Sequence, residues 1–389
     1  MKRQFGAITL ARIVVAGTNA VLLILVARSM TVSMFGQFSA VFAGQTALAL
    51  ASSFGLAPFI LRAYARKQHA AVRAALRLNL LTSLITALAL SLLGYFTSRP
   101  ETAFSLVLLG ISLVLEKNSE SRSSVWIAGG ESRRPAQLLL LRALIALILF
   151  GVLAALGSDV LVAFGISRFF GSAFGCIMTL RLPVDENAPQ MPLIAVLGKI
   201  RHLALSNAIG SLRQLDSAVV ALTAGSSVAG LYTAASRLRS PIGLVAGAAS
   251  TVIMPRSAQM TAAQARAFLR KVAAYLVVAT IGLIPLSLLS GPSIRVVFGQ
   301  SYEGAAAGFA LMLVSIPSVA AVPILSTILQ SRDFDSFVMK NTLVFTVASL
   351  LAIGGAASVG GPTLAAAAFL ATSVLRTLAL LLFAFRRIR

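Results

Sequence analysis

From end to end the chain is a succession of apolar runs of about twenty residues, each long enough to cross a bilayer as a helix, separated by short segments that hold most of its charge. The runs cover about 6 to 27, 37 to 61, 75 to 95, 102 to 128, 136 to 156, 159 to 180, 202 to 223, 230 to 254, 272 to 290, 305 to 329, 338 to 357 and 362 to 385. With 58% hydrophobic and 11% charged residues, a chain of 389 residues holds far more apolar surface than a water-soluble core needs. The expectation is an all-α polytopic membrane protein of about twelve transmembrane helices.

Loop charge tests that count independently, because Lys and Arg are retained on the cytoplasmic side. With the N-terminus inside, the cytoplasmic segments carry 22 basic residues, from Lys2 to Arg389 and including Arg142, whereas the outer segments carry 3, namely Arg28, Arg99 and Arg295. The bias recurs at every second loop, so a missing or extra helix would destroy it from that point onward. Both termini are expected in the cytoplasm, in the inner membrane of a bacterium. The net charge of +22 is therefore mostly a topology signal. No polar, basic domain with interleaved aromatics is present to receive a nucleic acid. The basic start at Met1-Lys2-Arg3 leads into an apolar run without a small-x-small cleavage site, which reads as an uncleaved first helix.

A disulfide framework is excluded by the single cysteine, Cys176, and the two histidines, His69 and His202, stand alone. A metal site needs three or four converging ligands, so neither a metal nor another cofactor is expected.

A weak internal repeat divides the chain. Phe35-Gly36-Gln37-Phe38-Ser39-Ala40 returns as Ala229-Gly230-Leu231-Tyr232-Thr233-Ala234, with Arg62 and Arg256 each 26 residues after the respective glycine. Arg73-Ala74-Ala75-Leu76-Arg77 returns as Arg266-Ala267-Phe268-Leu269-Arg270 at the equivalent point. Six helices per half give both halves the same orientation. The expected division is an N-terminal six-helix lobe over 1–182, a cytoplasmic linker over 183–198 where Pro183, Asp185, Glu186, Pro189 and Pro192 break the apolar pattern, and a pseudo-symmetric six-helix lobe over 199–389.

The fourth run is irregular. Its clean apolar part, Ala103 to Leu115, is too short to cross and must be completed by Glu116-Lys117-Asn118-Ser119-Glu120-Ser121-Arg122. If the helix continues, Glu116 and Glu120 share a face and must point into protein or water. If it ends at Leu115, the remainder is a cytoplasmic loop.

Ionisable groups inside the remaining spans are Arg12, Arg168, Arg213, Asp216, Arg237, Arg239 and Arg376, six cations against one acid. Such groups are expensive in a membrane and are candidates for function. Thr9, Arg12, Ala16 and Asn19 fall on one face of the first helix, the pattern of a cavity wall, although Arg12 is close enough to the inner surface to snorkel. Arg168 lies mid-span, too deep for that. Arg213 and Asp216, three apart, can pair within one helix beside the polar stripe of Asn207, Gly210, Gln214 and Ser217. Tyr232, Ser236 and Arg239 share a face of the eighth span, Arg237 points elsewhere, and Pro241 is positioned to bend that helix. Arg376 in the twelfth span faces either a cavity or a neighbouring helix. Guanidinium groups stay charged at physiological pH and grip phosphate or carboxylate oxygens in pairs, so the implied ligand is anionic. An exporter of cationic drugs would need the opposite balance.

Several stretches resemble the Wzx-type oligosaccharide flippases, the polysaccharide-export branch of a superfamily that also holds multidrug exporters and the lipid II flippase. They are Ala27-Arg28 with Phe35-Gly36-Gln37-Phe38, Gly55-Leu56-Ala57-Pro58 before Arg62, Leu215-Asp216-Ser217, the segment from Ala229 to Leu238, Met254-Pro255-Arg256, and Val297-Phe298-Gly299-Gln300-Ser301-Tyr302. The resemblance implies alternating access between two six-helix lobes around a cationic cavity, moving an undecaprenyl-pyrophosphate-linked oligosaccharide between leaflets for surface polysaccharide or lipopolysaccharide synthesis, with no covalent chemistry. The expected binding residues are Arg12, Asn19, Arg168, Arg213, Asp216, Tyr232, Arg239 and Arg376, with Glu116, Glu120, Gln214 and Ser236 as further cavity lining. Expected partners are the lipid-linked anionic oligosaccharide, membrane lipids and polysaccharide polymerase machinery, with the protein acting as a monomer. The competing readings are a lipid II or drug exporter of the same superfamily, and a membrane glycan polymerase or ligase. The last needs a large outer loop, which this sequence lacks.

Overall fold

Every regular element is helical among the residues that the computed structural model describes, which are 2–97, 100–131, 133–184, 191–239 and 260–388. In chain order they are α1 (Lys2–Ser29), α2 (Val32–Ala51), α3 (Leu56–Ala65), α4 (His69–Thr97), α5 (Pro100–Ala128), α6 (Arg133–Ala155), α7 (Val160–Met178), α8 (Leu193–Leu212), α9 (Asp216–Ala224), α10 (226–239), α11 (Ala262–Ser287), α12 (Ser290–Phe298), α13 (Ala306–Gln330) and α14 (Asp335–Arg387). Short 3-10 turns at Arg213–Leu215 and Gln300–Ala305 lead into α9 and α13. Among the described residues nine helices are long and apolar enough to cross a membrane, or ten if the stretch 193–224, bent at residue 202, is one span. The 53-residue α14 is broken by non-helical backbone at Gly360 and Gly361, just before Pro362, so its two arms occupy the last two expected runs. Arg99, the linker residues Asp185, Glu186 and Pro189, the eighth run beyond Arg239 with Pro241, the segment Met254-Pro255-Arg256, and the side chain of His202 lie outside what is described.

The contacts group the chain into two compact units, Met1–Ser29 with Val41–Leu215, and Met30–Ala40 with Asp216–Arg389. In the first unit α5 packs on α3, α4 and α7, while α6 packs on α1 and α7. This position answers the irregularity of the fourth run. α5 continues unbroken to Ala128, and 61% of its most apolar window is buried, against 22–33% for α1 to α4 and α6. Its polar half faces protein, where Lys117, Asn118, Ser119 and Ser121 are all buried and the first three find partners that lipid cannot offer.

Two devices bring these helices together. Gln45 of α2 is fully buried and its Nε2 donates to the carbonyls of Leu90 (3.1 Å) and Leu106 (2.8 Å), tying α2 to α4 and α5. Gly94 and Gly110 make room for it, since a Cβ on either would lie 3.0 Å from that nitrogen. The second is a break in the second run, where the chain turns through Phe54 (φ 49°) and Gly55 (φ 66°). Side chains from other helices bind the backbone at this break. Asn207 Nδ2 donates to Leu50 O and to Ser53 Oγ, and Lys117 Nζ donates to Ser52 O at 2.8 Å. The resulting α3 buries Leu56, Ile60 and Ala63 against Ala71, Val72, Val125, Val196 and Ile200.

In the second unit α13 packs on α14 and α11, and α9 packs on α14, around a core that includes Leu269, Leu325, Leu329 and Leu380. The start of α2 crosses the start of α10 at Gly36 and Gly230, the two glycines at the centre of the sequence repeat. A Cβ on Gly36 would overlap Ser226 O, and one on Gly230 would overlap Val32 O, so both must lack a side chain. The Ser33 and Ser226 hydroxyls hydrogen-bond beside them at 2.7 Å, and Phe35 meets Tyr302 edge to face at 5.9 Å.

Candidate functional site

In the first unit the charged groups gather on α5. Glu116 accepts from two guanidiniums, Arg142 Nη2 of α6 at Oε1 (2.5 Å) and Arg168 Nη2 of α7 at Oε2 (2.8 Å). Arg168 also donates through Nη1 to Asn19 Oδ1 of α1 at 2.6 Å. The three ion-pair members are 19, 6 and 11% exposed respectively, so these charge-assisted bonds operate largely out of water. Removing Glu116 would leave two buried guanidiniums without their shared carboxylate, at a cost of about 3–5 kcal/mol. Glu120 follows one turn later with an exposed side chain, and Arg12 of α1 lies within electrostatic reach of it.

The sequence reading therefore identified Arg168, Asn19 and Glu116 but not their partnership, and it missed Arg142. Counted above as a loop cation, Arg142 sits inside α6 with its side chain almost fully enclosed. Its enclosure is the work of α7. A Cβ at Gly171 would lie 2.8 Å from Arg142 O, and one at Gly175 would overlap Arg142 Cδ, so the Gly171-x-x-x-Gly175 spacing forms the notch in which this arginine lies. The available signal was that Arg142 falls within the fifth apolar run itself. Lys117, also missed, holds the break in the second run; Arg122 Nε donates to Asn118 Oδ1 (2.9 Å) one turn before it on α5.

In the second unit Asp216 opens α9. Its Oδ1 accepts from the Ser217 backbone N–H (2.7 Å), and its Oδ2 accepts from Tyr232 Oη (3.4 Å). A 3-10 turn over Arg213–Leu215 precedes α9, and Arg213 and Gln214 lie exposed on that turn. Arg239 of α10 lies over the ring of Phe369 at 4.2 Å, a cation–π contact, and its Nε has no hydrogen-bond partner among the described residues. Tyr232 and Asp216 are both within electrostatic reach of Arg239, and Asp216 is within reach of Arg237. Ser236 is buried and donates to Thr233 O within its own helix, so its hydroxyl serves α10. Arg376 is 9% exposed and donates to Thr342 Oγ1 at 2.9 Å, bridging the two arms of α14.

The described residues hold no group of three or more His, Cys, Asp or Glu side chains able to bind a metal ion. In the first unit Arg12, Arg142 and Arg168 stand against Glu116 and Glu120; in the second, Arg237, Arg239 and Arg376 stand against Asp216. Each set has an excess of guanidinium over carboxylate, suited to binding an anion.

The family model for polysaccharide biosynthesis proteins matches residues 1–261. No match was found among curated protein sequences. Among solved structures, an inward-facing multidrug resistance MATE family transporter of the MOP superfamily superimposes with a TM-score of 0.77 at 14% identity, covering 95% of this chain and 94% of that one. The lipid II flippase MurJ in an inward closed conformation gives a TM-score of 0.73 at 15% identity, over 97% and 87% of the two chains. A MOP superfamily transporter from Pyrococcus furiosus gives 0.69 at 15% identity, over 100% and 96%. At these identities the likeness is one of fold.

Proposed function

Because the chain belongs to the polysaccharide biosynthesis protein family and has the fold of MOP superfamily transporters, we propose that it is a flippase for a lipid-linked anionic oligosaccharide. The substrate class is an undecaprenyl-pyrophosphate-linked glycan destined for the cell surface, carried across a bacterial inner membrane by alternating access. The observation that supports this most is the excess of arginine over carboxylate in the charged groups that the helices of each unit bring together. A pyrophosphate has the charge and the paired oxygens that guanidiniums bind best, while its lipid tail can remain in the bilayer. Arg168 with Arg12 in the first unit, and separately Arg239 with Arg376 in the second, are the groups able to receive such an anion. Such a cycle needs no covalent intermediate, and it suits a monomer with both termini in the cytoplasm that passes its product to polymerase machinery.

The test is a deletion strain complemented with single variants. Loss of the gene should leave lipid-linked glycan on the inner leaflet, and Arg168→Ala and Arg239→Ala, present at normal levels in the membrane, should each restore export poorly. Full surface polysaccharide from both variants would refute the site assignment. A deletion strain without accumulated lipid-linked glycan would refute the substrate class.

A further inference from the structure

Glu116 makes the first unit more than a plain anion site, because both oxygens of its carboxylate already occupy the guanidiniums that a phosphate would use. The two arginines are not equivalent. Arg142 is wedged into the notch of Gly171 and Gly175, where its aliphatic stem fills the space a side chain on α7 would take, and it cannot swing unless α6 and α7 part. Arg168 has no such wedge. Its second amino group rests on a neutral amide, that of Asn19, and more of its side chain is exposed than that of Arg142, 11% against 6%.

We propose that Glu116 is a resident anion of the phosphate site: Arg142 holds it permanently, and Arg168 exchanges between Glu116 and the phosphate of the substrate. The proposal rests on the reading that the first unit receives a phosphate group. Its physical advantage lies in what happens when Arg168 leaves. Glu116 keeps its bond to Arg142, so neither position of Arg168 leaves an unpaired charge buried in the helices. The carboxylate competes with the substrate at every turnover and so limits how tightly a phosphate can be held, which a carrier that must release its cargo requires. Asn19 anchors the guanidinium during the exchange, giving it a fixed pivot on α1.

The experiment measures binding of inorganic pyrophosphate to the purified full-length protein by calorimetry at one fixed ionic strength. Glu116→Gln keeps the shape and removes the competing charge, so it should bind about tenfold more tightly than the unaltered protein while supporting less glycan export in cells, because release is slowed. Arg168→Gln should abolish binding. Equal or weaker binding by Glu116→Gln, with Arg168→Gln still inactive, overturns the exchange and leaves the phosphate reading standing. Should Glu116→Gln fail to fold, the double variant Glu116→Gln/Arg142→Gln removes both charges together and keeps the exchanging arm. It should bind at least as tightly as the unaltered protein, and weaker binding overturns the proposal. Absence of binding by every form, the unaltered protein included, removes the phosphate reading itself.

Discussion

Replacing Gly175 by alanine should disturb a charge cluster through the addition of one methyl group. The new Cβ would overlap Arg142 Cδ and lie 2.9 Å from Cγ and 3.2 Å from Nε, closer than carbon and nitrogen atoms tolerate. Arg142 cannot absorb this by bending away, because its stem is rooted in α6 and its guanidinium is held by Glu116 at 2.5 Å. Nor can α7 slide past, since a side chain at Gly171 would be just 2.8 Å from Arg142 O. Two responses remain. If α6 and α7 separate, the overpacking costs about 1–3 kcal/mol; if the guanidinium is driven from Glu116, breaking the buried pair costs about 3–5 kcal/mol. Alanine regains about 1 kcal/mol of helix propensity in either case, leaving a net loss of up to about 2 kcal/mol by the first route and about 2–4 kcal/mol by the second. Gly151→Ala is the control, because a Cβ there meets nothing within 4 Å and only the propensity gain applies. The assay is the apparent melting temperature of the purified protein in detergent, with surface glycan measured in parallel. Gly175→Ala should melt several degrees below Gly151→Ala and export less. If both variants melt at or above the unaltered protein, the notch is not what holds Arg142.

Three further outcomes follow from the packing. Lys117→Met removes the donor from Ser52 O and should lower stability by about 1–3 kcal/mol, read as a fall in melting temperature. Gln45→Leu deletes the two bonds from Nε2 to Leu90 O and Leu106 O and should destabilise by a similar amount, about 1–3 kcal/mol, measured the same way. With Cys176 replaced by serine, the pair Ser33→Cys and Ser226→Cys should form a disulfide that blocks thiol labelling until reduced, since the native hydroxyl oxygens are 2.7 Å apart. Adding Gly36→Ala to that pair should suppress the cross-link by forcing α2 and α10 apart.

The helical runs were legible because span length and apolar content are local properties, and helix makes up most of the described part of each run. The significance of Gly36 and Gly230 was legible too, as the centre of a repeat, although only the fold shows that the two glycines meet. Properties that depend on distant neighbours were harder to read. The apolar pattern runs straight through Ser52 to Gly55, yet the helix breaks there, where Asn207 and Lys117 arrive from other helices to bind Leu50 O and Ser52 O. In the fourth run the sequence left open whether the helix continues past Leu115, because a window counts residues and not their surroundings; its polar half is in fact helical and packs among α4 and α7. Arg142 was assigned to a loop by the same locality. A cation near the end of an apolar run belongs to the topology signal or to a buried cluster according to whether a carboxylate meets it, and Glu116 lies on a different helix. For Arg168, depth within the run was enough to mark it, but Asn19 and Glu116 became its partners only through folding.

The polar half of α5 also bears on how the chain is made. Its mean hydropathy of 1.2 over the best window is the lowest among the nine long helices described, and a lone charge at mid-bilayer opposes insertion by about 2.5–3.5 kcal/mol. When α5 leaves the ribosome, Ser52, Thr82 and Ser83 have already been synthesised and can receive Lys117 and Asn118 at once. Glu116 has no such partner in waiting, since Arg168 is encoded 52 residues downstream. Stable entry of α5 into the bilayer is thus tied to translation of α6 and α7, and until they emerge the nascent chain carries an acid that only water, or an insertase with a hydrated groove, can accommodate.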